Sequence, residues 1–356
     1  MRRHAFSPDH PGQPPASTDE AANSSGRIRG TNQTLPPDVS PAFSFSGATM
    51  GTRYTITIAR VPQDFEDSST ELQAAVEKLF NRIDVQISSY RHDSEVSRFN
   101  ASNSTDWFSV SPEVVTVVDE ALRISRLSGG AFDVTVDPLL KIWGFGRYKP
   151  GKVPSAEEIA RAHGIVGYEL LQTRTDPPAL RKLNAAVSID LSALGEGYGI
   201  DAAGTLLEAQ GIRDYLIELG GEVRARGLSH RGKAWRIGIE TPLEYARAIG
   251  AAVALSGCSM ATSGDYRNFF THNGRRYSHI IDPRSGQALG SDLASVSVVA
   301  EDCMHADALA TALMVLGSTA ARELAEREQL PALLITRDGD RFIQHATTKM
   351  NALLQK

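Results

Sequence analysis

Residues 185–210 constrain the fold more than any other stretch. An apolar run at 185–191 leads into Ser192-Ala-Leu-Gly-Glu-Gly-Tyr-Gly199 and on to a helix-forming segment that closes at Gln210. Read as strand, glycine turn and helix, this is where a dinucleotide-binding fold would have to show itself, because backbone amides at a helix N-terminus suit a pyrophosphate. The glycines fall at 195, 197 and 199 rather than as GxGxxG, and no acid plainly closes a second parallel strand. A Rossmann dehydrogenase is a weak fit, and a plain strand-to-helix turn is the commoner meaning of such a segment.

The rest of the pattern is mixed. Residues 52–58 alternate, with Tyr54, Ile56 and Ile58 on one face, and predict a half-buried strand preceded by a turn-prone lead-in at 47–52. Ser68 with Glu71, and Ser155 with Glu158, are capping-box patterns, and Ser111-Pro112 opens another helix that Gly129-Gly130 closes. A small helical cue lies at 94–99, and a short extended segment is expected at 131–138. Residues 215–219 predict a strand running into Gly220-Gly221-Glu222, with 235–240 as its hairpin partner. Further strands are expected at 250–255, 276–281, 294–300 and 332–336, with helices over 304–316 and 320–328. Hairpin connections outnumber βαβ units, so the fold class is α+β: mixed, largely antiparallel sheets with packed helices. Residues 1–40, rich in Pro, Ser, Asn, Asp and Gly, cannot offset their ordering entropy and are expected to be disordered. Residues 41–356 are expected to form one domain, divisible into two lobes.

A net charge of -5 and a pI near 6.0 argue against a general nucleic-acid binder. The two cysteines, Cys258 and Cys303, have no partner at metal-ligand spacing, and buried neighbours, a disulfide or two thiols all remain open. No run of about 18 apolar residues is present, and no apolar h-region follows the basic start, so the chain as written is expected to be cytoplasmic with no transmembrane segment.

Chemistry-bearing side chains concentrate between Ser259 and Thr311. Asp307 and Thr311 stand one turn apart on an otherwise apolar helix, a hard-oxygen pair suited to Mg²⁺; a dipole-serving Asp and a back-bonding Thr are the commoner meaning of that spacing. His279 sits among Tyr277, Ser278, Asp282 and Arg284, an unusual set for a plain strand end. Asp190, at the end of an apolar run, is either a structural cap or a ligand contact, since burial without a partner would be costly.

Several blocks together carry a resemblance. Gly51-Thr52, Ser-Ser-Tyr-x-x-x-Ser-Glu-Val-Ser-Arg-Phe-Asn at 88–100, Gly-Gly-Ala-Phe-Asp-Val-Thr-Val at 129–136 and Trp-Gly-Phe-Gly at 143–146 come first. Asp-Leu-Ser-Ala-Leu-Gly-Glu-Gly-Tyr-Gly-Ile-Asp at 190–201, Gly-Gly-Glu at 220–222 and Ser-Gly-Asp-Tyr at 263–266 follow. Ser-His-Ile-Ile-Asp-Pro-Arg-Ser-Gly at 278–286 and Ala-Asp-Ala-Leu-Ala-Thr-Ala-Leu at 306–313 complete the set. In this order, over about residues 43–340, they resemble the FAD:protein FMN transferase (ApbE) family.

The resemblance implies an ApbE-like fold and a Mg²⁺-dependent enzyme. Its substrate would be FAD, split so that FMN passes through a phosphoester to a Thr or Ser hydroxyl of a target flavoprotein, with release of AMP. Carried over residue by residue, the metal ligands are the main-chain oxygen of Ala193 and the side chains of Asp307 and Thr311. The flavin-nucleotide contacts are Met50, Tyr90, Ala131, Phe132, Asp133, Asp190, Glu196 and Ile281. Some relatives carry Lys where this chain has Glu196, so Glu196 would hold ribose, adenine or metal-bound water rather than phosphate. His279 is the candidate base for the incoming hydroxyl, with Asp282 orienting it. The alternatives are an FAD-binding protein without transfer and an FAD pyrophosphatase yielding AMP and FMN. Many relatives are periplasmic and attached to the inner membrane, which is the alternative localisation.

Overall fold

The computed structural model describes residues 42–60, 65–148, 153–244, 247–290, 292–339 and 341–354; the expected disorder of residues 1–40 falls outside them. In chain order the elements begin with β1 (Phe43–Thr49), β2 (Thr52–Ile58), α1 (Phe65–Ile87), α2 (Glu95–Ala101), β3 (Phe108–Ser109) and α3 (Pro112–Leu127). Next come α4 (Asp137–Trp143), α5 (Ala156–His163), β4 (Leu171–Arg174), β5 (Ala179–Lys182), α6 (Ser192–Ala209), β6 (Tyr215–Leu219) and β7 (Glu222–Arg226). They continue with β8 (Trp235–Glu240), β9 (Ile249–Leu255), β10 (Cys258–Gly264), β11 (Phe269–His272), β12 (Arg275–Ser278), β13 (Ile281–Asp282) and β14 (Gln287–Ala288). The last are β15 (Leu293–Ala300), α7 (Cys303–Arg327), β16 (Ala332–Asp338), β17 (Arg341–Ala346) and α8 (Thr348–Asn351).

One eight-stranded sheet, in the order β1-β2-β6-β7-β10-β15-β16-β17, organises these elements, and every neighbouring pair in it is antiparallel. The expected alternation of β2 holds: Tyr54, Ile56 and Ile58 are buried opposite Leu219, Ile217 and Tyr215. Phe80 of α1 and Ile200, Ala203 and Leu207 of α6 close over that face. Beside them, α3 and α7 pack with Val296 and Val298 of β15 and Leu334 of β16. On the other face the β8–β9 hairpin covers Val223, Met260, Val299 and Leu333 through Trp235, Ile239, Val253 and Leu255. The result is α+β with largely antiparallel sheets, as the pattern predicts.

Four expectations are corrected. The strand expected over 185–191 does not form: 185–186 are a turn and 187–191 join no sheet, because the Asn100 side chain takes both the N–H and the C=O of Ile189 at 2.8 Å, and Asp190 N–H donates to Val134 O. Backbone groups satisfied by an amide side chain need no neighbouring strand. The stretch 131–138 is not extended either. Asp133 caps a 3₁₀ turn over Val134–Val136, and α4 follows with proline in its first turn and left-handed Gly144 at its end. The partner of β6 is β7, reached through Gly220 (φ 68°) and Gly221, whereas β8 pairs with β9. Finally, α1 begins at Phe65, so Ser68 lies within the helix rather than at its cap.

Helix α7 combines the two expected helices around Gly317, whose backbone is non-helical. It is apolar and long enough to cross a membrane, yet most of it is buried inside the fold. Its start is fixed twice. Asp302 accepts from His305 N–H at 2.8 Å, and the Asp201 carboxylate of α6 accepts from the N–H groups of Cys303 and Met304 while pairing with Arg224.

Candidate active site

The glycines read as a turn lie inside α6, and their role is close approach. A Cβ on Gly197 would sit 2.6 Å from the carbonyl oxygen of Cys303 and 2.7 Å from Cα of Met304. Each glycine in a helix costs roughly 0.8–1.0 kcal/mol relative to alanine. What that cost secures here is contact between the first turns of α6 and α7, with the Gly197 N–H donating to the Asp307 carboxylate.

Around this contact lies a cavity of about 1060 Å³, lined on its helical side by Ala193, Glu196, Asp307 and Thr311 and on its sheet side by Glu222, Thr262 and Ser263. Asp307 is 7% exposed; burial, then the nearby Glu196, pushes its carboxyl up to about 8. Glu222 is raised still more firmly, by burial, by Asp307 and by a hydrogen bond with Glu196, and its Oε2 has no partner among the described residues. A side chain on Gly220 would collide with the Glu196 carboxylate, so the Gly220-Gly221 turn is what admits Glu196 beside Glu222. Thr311 Oγ1 lies 2.8 Å from Ser263 Oγ. Three carboxylates thus meet at one place, Asp307 buried and Glu196 and Glu222 half-buried, and such crowding favours a protonated carboxyl or a positive charge nearby.

Two other acids face the cavity already engaged. Asp190 accepts from Ser89 Oγ at 2.6 Å and from Ser192 N–H at 2.9 Å, fixing the entry to α6. Asp133 accepts from the N–H and hydroxyl of Thr135 and from Tyr168 N–H, and burial raises its carboxyl. His279 also lines the cavity, its Nδ1 3.0 Å from the carbonyl of Asn268. A carbonyl only accepts, so Nδ1 carries the proton; burial lowers the ring's pKa, which leaves Nε2 with a free lone pair at neutral pH. Phe132, Leu140, Ile280 and Ile281 supply an apolar wall.

This site can be set against known proteins. The ApbE family model matches residues 50–334. The chain belongs to the ApbE family. It is 42% identical over 312 residues to the FAD:protein FMN transferase of Vibrio cholerae serotype O1, covering 87% of this chain and 92% of that protein. To the FAD:protein FMN transferase of Escherichia coli K12 it is 37% identical over 299 residues, 83% of this chain and 84% of the other. Among solved structures, the flavin transferase ApbE from Vibrio cholerae superposes with a TM-score of 0.80 at 39% identity, over 88% of this chain and 99% of that one. The apo form of the Pseudomonas stutzeri flavinyl transferase ApbE gives 0.81 at 37% identity, over 90% and 98%.

In this ApbE-family chain the cavity gathers Ala131, Phe132, Asp133, Asp190, Ala193, Glu196, His279, Ile281, Asp307 and Thr311 from four separate segments. Three of the expected site residues, two carried over and the third proposed to orient His279, stand elsewhere. Met50, at the β1–β2 turn (φ 49°), packs into the core against Gly199. Tyr90 is 63% exposed and stands near the Asp190 carboxylate, outside the cavity wall. Asp282 is held by the backbone N–H and guanidinium of Arg284, so the group that orients His279 is the Asn268 carbonyl. Residues 258–264, at the start of the stretch rich in chemistry-bearing side chains, form strand β10 in the middle of the sheet. Glu222 was not singled out from sequence, although Gly-Gly-Glu directly after an apolar strand is a visible cue. Cys258 and Cys303 are both free thiols.

The donor chemistry fits a hard cation. Among the described residues no group of three or more His, Cys, Asp or Glu is arranged to hold a metal. A cation here would therefore draw on the Ala193 main chain, the Thr311 hydroxyl and Asp307, and the unpartnered Glu222 oxygen and the excess buried negative charge are what such an ion would neutralise.

Proposed function

We propose that the chain is a Mg²⁺-dependent FAD:protein FMN transferase, which cleaves FAD, joins FMN through a phosphoester to a Thr or Ser hydroxyl of a target flavoprotein, and releases AMP. Support comes from its family and from relatives that carry this name. The observation that carries the reading is the cluster of buried Asp307 with half-buried Glu196 and Glu222 at the floor of a cavity that also presents His279.

A divalent ion held by Ala193 O, Asp307 and Thr311 would neutralise charge on the pyrophosphate oxygens, the main requirement of phosphoryl transfer. The chain's own residues do the rest. Gly197 N–H holds the Asp307 carboxylate in place, and Asp201 ties the first turn of α7 to α6, so the donors keep their spacing. Phe132 and Ile281 offer apolar surface to the flavin and keep water out. His279, fixed through Nδ1, takes the acceptor hydroxyl's proton at Nε2 as the oxygen attacks the FMN-side phosphorus; the bridging P–O bond breaks and AMP departs.

The test is to incubate the full chain with FAD, Mg²⁺ and a candidate acceptor flavoprotein and weigh the acceptor intact. A gain of one FMN unit together with AMP release is expected. AMP and free FMN with an unmodified acceptor would establish a pyrophosphatase instead, and no AMP at all a binding protein.

A further inference from the structure

Strand β8 meets the cavity in an unusual way. Five consecutive residues, Arg236 to Glu240, line it. Successive side chains of a strand point to opposite faces, so a cavity that touches every one of five residues meets the strand along its edge. That edge is open. The outer edge of β9 is taken by the C-terminal segment, where Val253 bridges Leu354 and Ala254 N–H donates to Leu353 O, whereas β8 pairs with no strand but β9 among the described residues. Gly238 at the centre of β8 takes the Ile249 side chain over it, where a Cβ would stand 3.0 Å from Ile249 Cδ1, and its main chain stays on the open edge.

The charges beside this edge differ from those on the floor. Glu240, the one acid of β8, is engaged by Arg267 and Arg247. Arg236 of β8 and Arg53 of β2 are exposed, line the same cavity, and make no side-chain hydrogen bond or ion pair among the described residues. The cavity's volume of about 1060 Å³ also exceeds the roughly 300–1,000 Å³ of a pocket that holds one small ligand.

We propose that the protein acceptor binds as an added strand along the free edge of β8, and that Arg236, with Arg53, receives an acidic side chain flanking the acceptor hydroxyl. The proposal rests on the transferase reading, which requires a polypeptide to reach the cavity that holds His279 and Asp307. Main-chain hydrogen bonds to the edge supply affinity and the two guanidiniums select for charge. One wall of the cavity then serves the nucleotide and another the polypeptide.

The test uses the full chain and synthetic decapeptides with one central threonine, titrated by calorimetry in Mg²⁺. One peptide has flanking aspartates, one has flanking lysines, and two further aspartate peptides are N-methylated at alternate residues in opposite phase. The aspartate peptide is expected to bind the wild type, and Arg236→Glu to weaken it at least tenfold while admitting the lysine peptide. Only one N-methylated phase should lose binding, because a strand pairs through alternate residues. FAD affinity of Arg236→Glu is measured alongside, and its loss would place Arg236 in the nucleotide pocket and overturn the assignment. Absence of aspartate-peptide binding, indifference to Arg236→Glu, or an equal effect of both N-methylated phases would each overturn it too. Binding is read without turnover, so a chain that binds these peptides as expected but transfers no FMN fails the proposed function and not this inference.

Discussion

At the floor of the cavity Asp307, Glu196 and Glu222 are packed between two helices and a sheet, while at its edge Arg53 and Arg236 stand in solvent on two strands. The floor is in deficit: Asp307 is buried, the Asp307 and Glu222 carboxyls are raised in pKa, and Glu222 Oε2 has no partner among the described residues. The edge is solvated, and its guanidiniums lose little by waiting unpaired. On the proposed reading, electrostatic cost lies where a small hard ion would bind, and freely accessible charge lies where a larger partner would dock and leave. Mutations at the floor should therefore move chemistry and stability together, and mutations at the edge should move recognition alone.

The largest effect is expected at the floor. Asp307→Ala should reduce FMN transfer below detection, since a lost metal contact forfeits several kcal/mol of transition-state stabilisation. Its thermal midpoint without metal should be no lower than wild type, because an uncompensated buried acid is removed. Flavin transfer by a folded variant, read by mass, would sink the metal assignment. His279→Ala comes next, with transfer slowed about 10²- to 10⁴-fold and FAD affinity within a factor of two. Wild-type turnover in single-turnover kinetics would remove His279 from the mechanism.

Gly197→Ala sharpens the comparison without touching a charge. The added methyl would press on the carbonyl of Cys303, and denaturant melts should show a loss of about 1–3 kcal/mol with weakened Mg²⁺ dependence of transfer. An unchanged melt would mean that α6 and α7 are not held apart by contact at this point.

A further effect concerns pH. Asp307 is lifted from an ordinary 3.8 to about 8, so the folded chain keeps a proton that the unfolded chain gives up. Metal-free stability should be full near pH 4 and should fall as pH rises towards 8, with a slope of at most about 1.4 kcal/mol per pH unit from this group. Saturating Mg²⁺ should flatten that slope, and Asp307→Asn should reduce it. A slope that Asp307→Asn leaves intact would show that the floor is not its source.

Much of the fold could be read from local pattern. Alternation in β2, the capping box of α5 and the Ser94 cap of α2 are short-range signals that tertiary context did not override. What escaped was long-range. No local rule says that Asn100 would satisfy the backbone of Ile189, or that Glu222 would be carried by β7 rather than by a loop. The glycines of α6 misled for the same reason, because close approach to α7 and a tight turn leave the same residues in a sequence. Asp307 and Thr311 were legible as a pair on one helix face. The open edge of β8 was not, since an edge is defined only by the neighbours a strand lacks.

The central claim, that the acidic floor is a cation seat, is tested most directly by titrating Mg²⁺ into the FAD-loaded full chain by calorimetry beside Asp307→Asn. One ion bound by the wild type and none by the variant is the expected result. Equal binding by both would contradict the account.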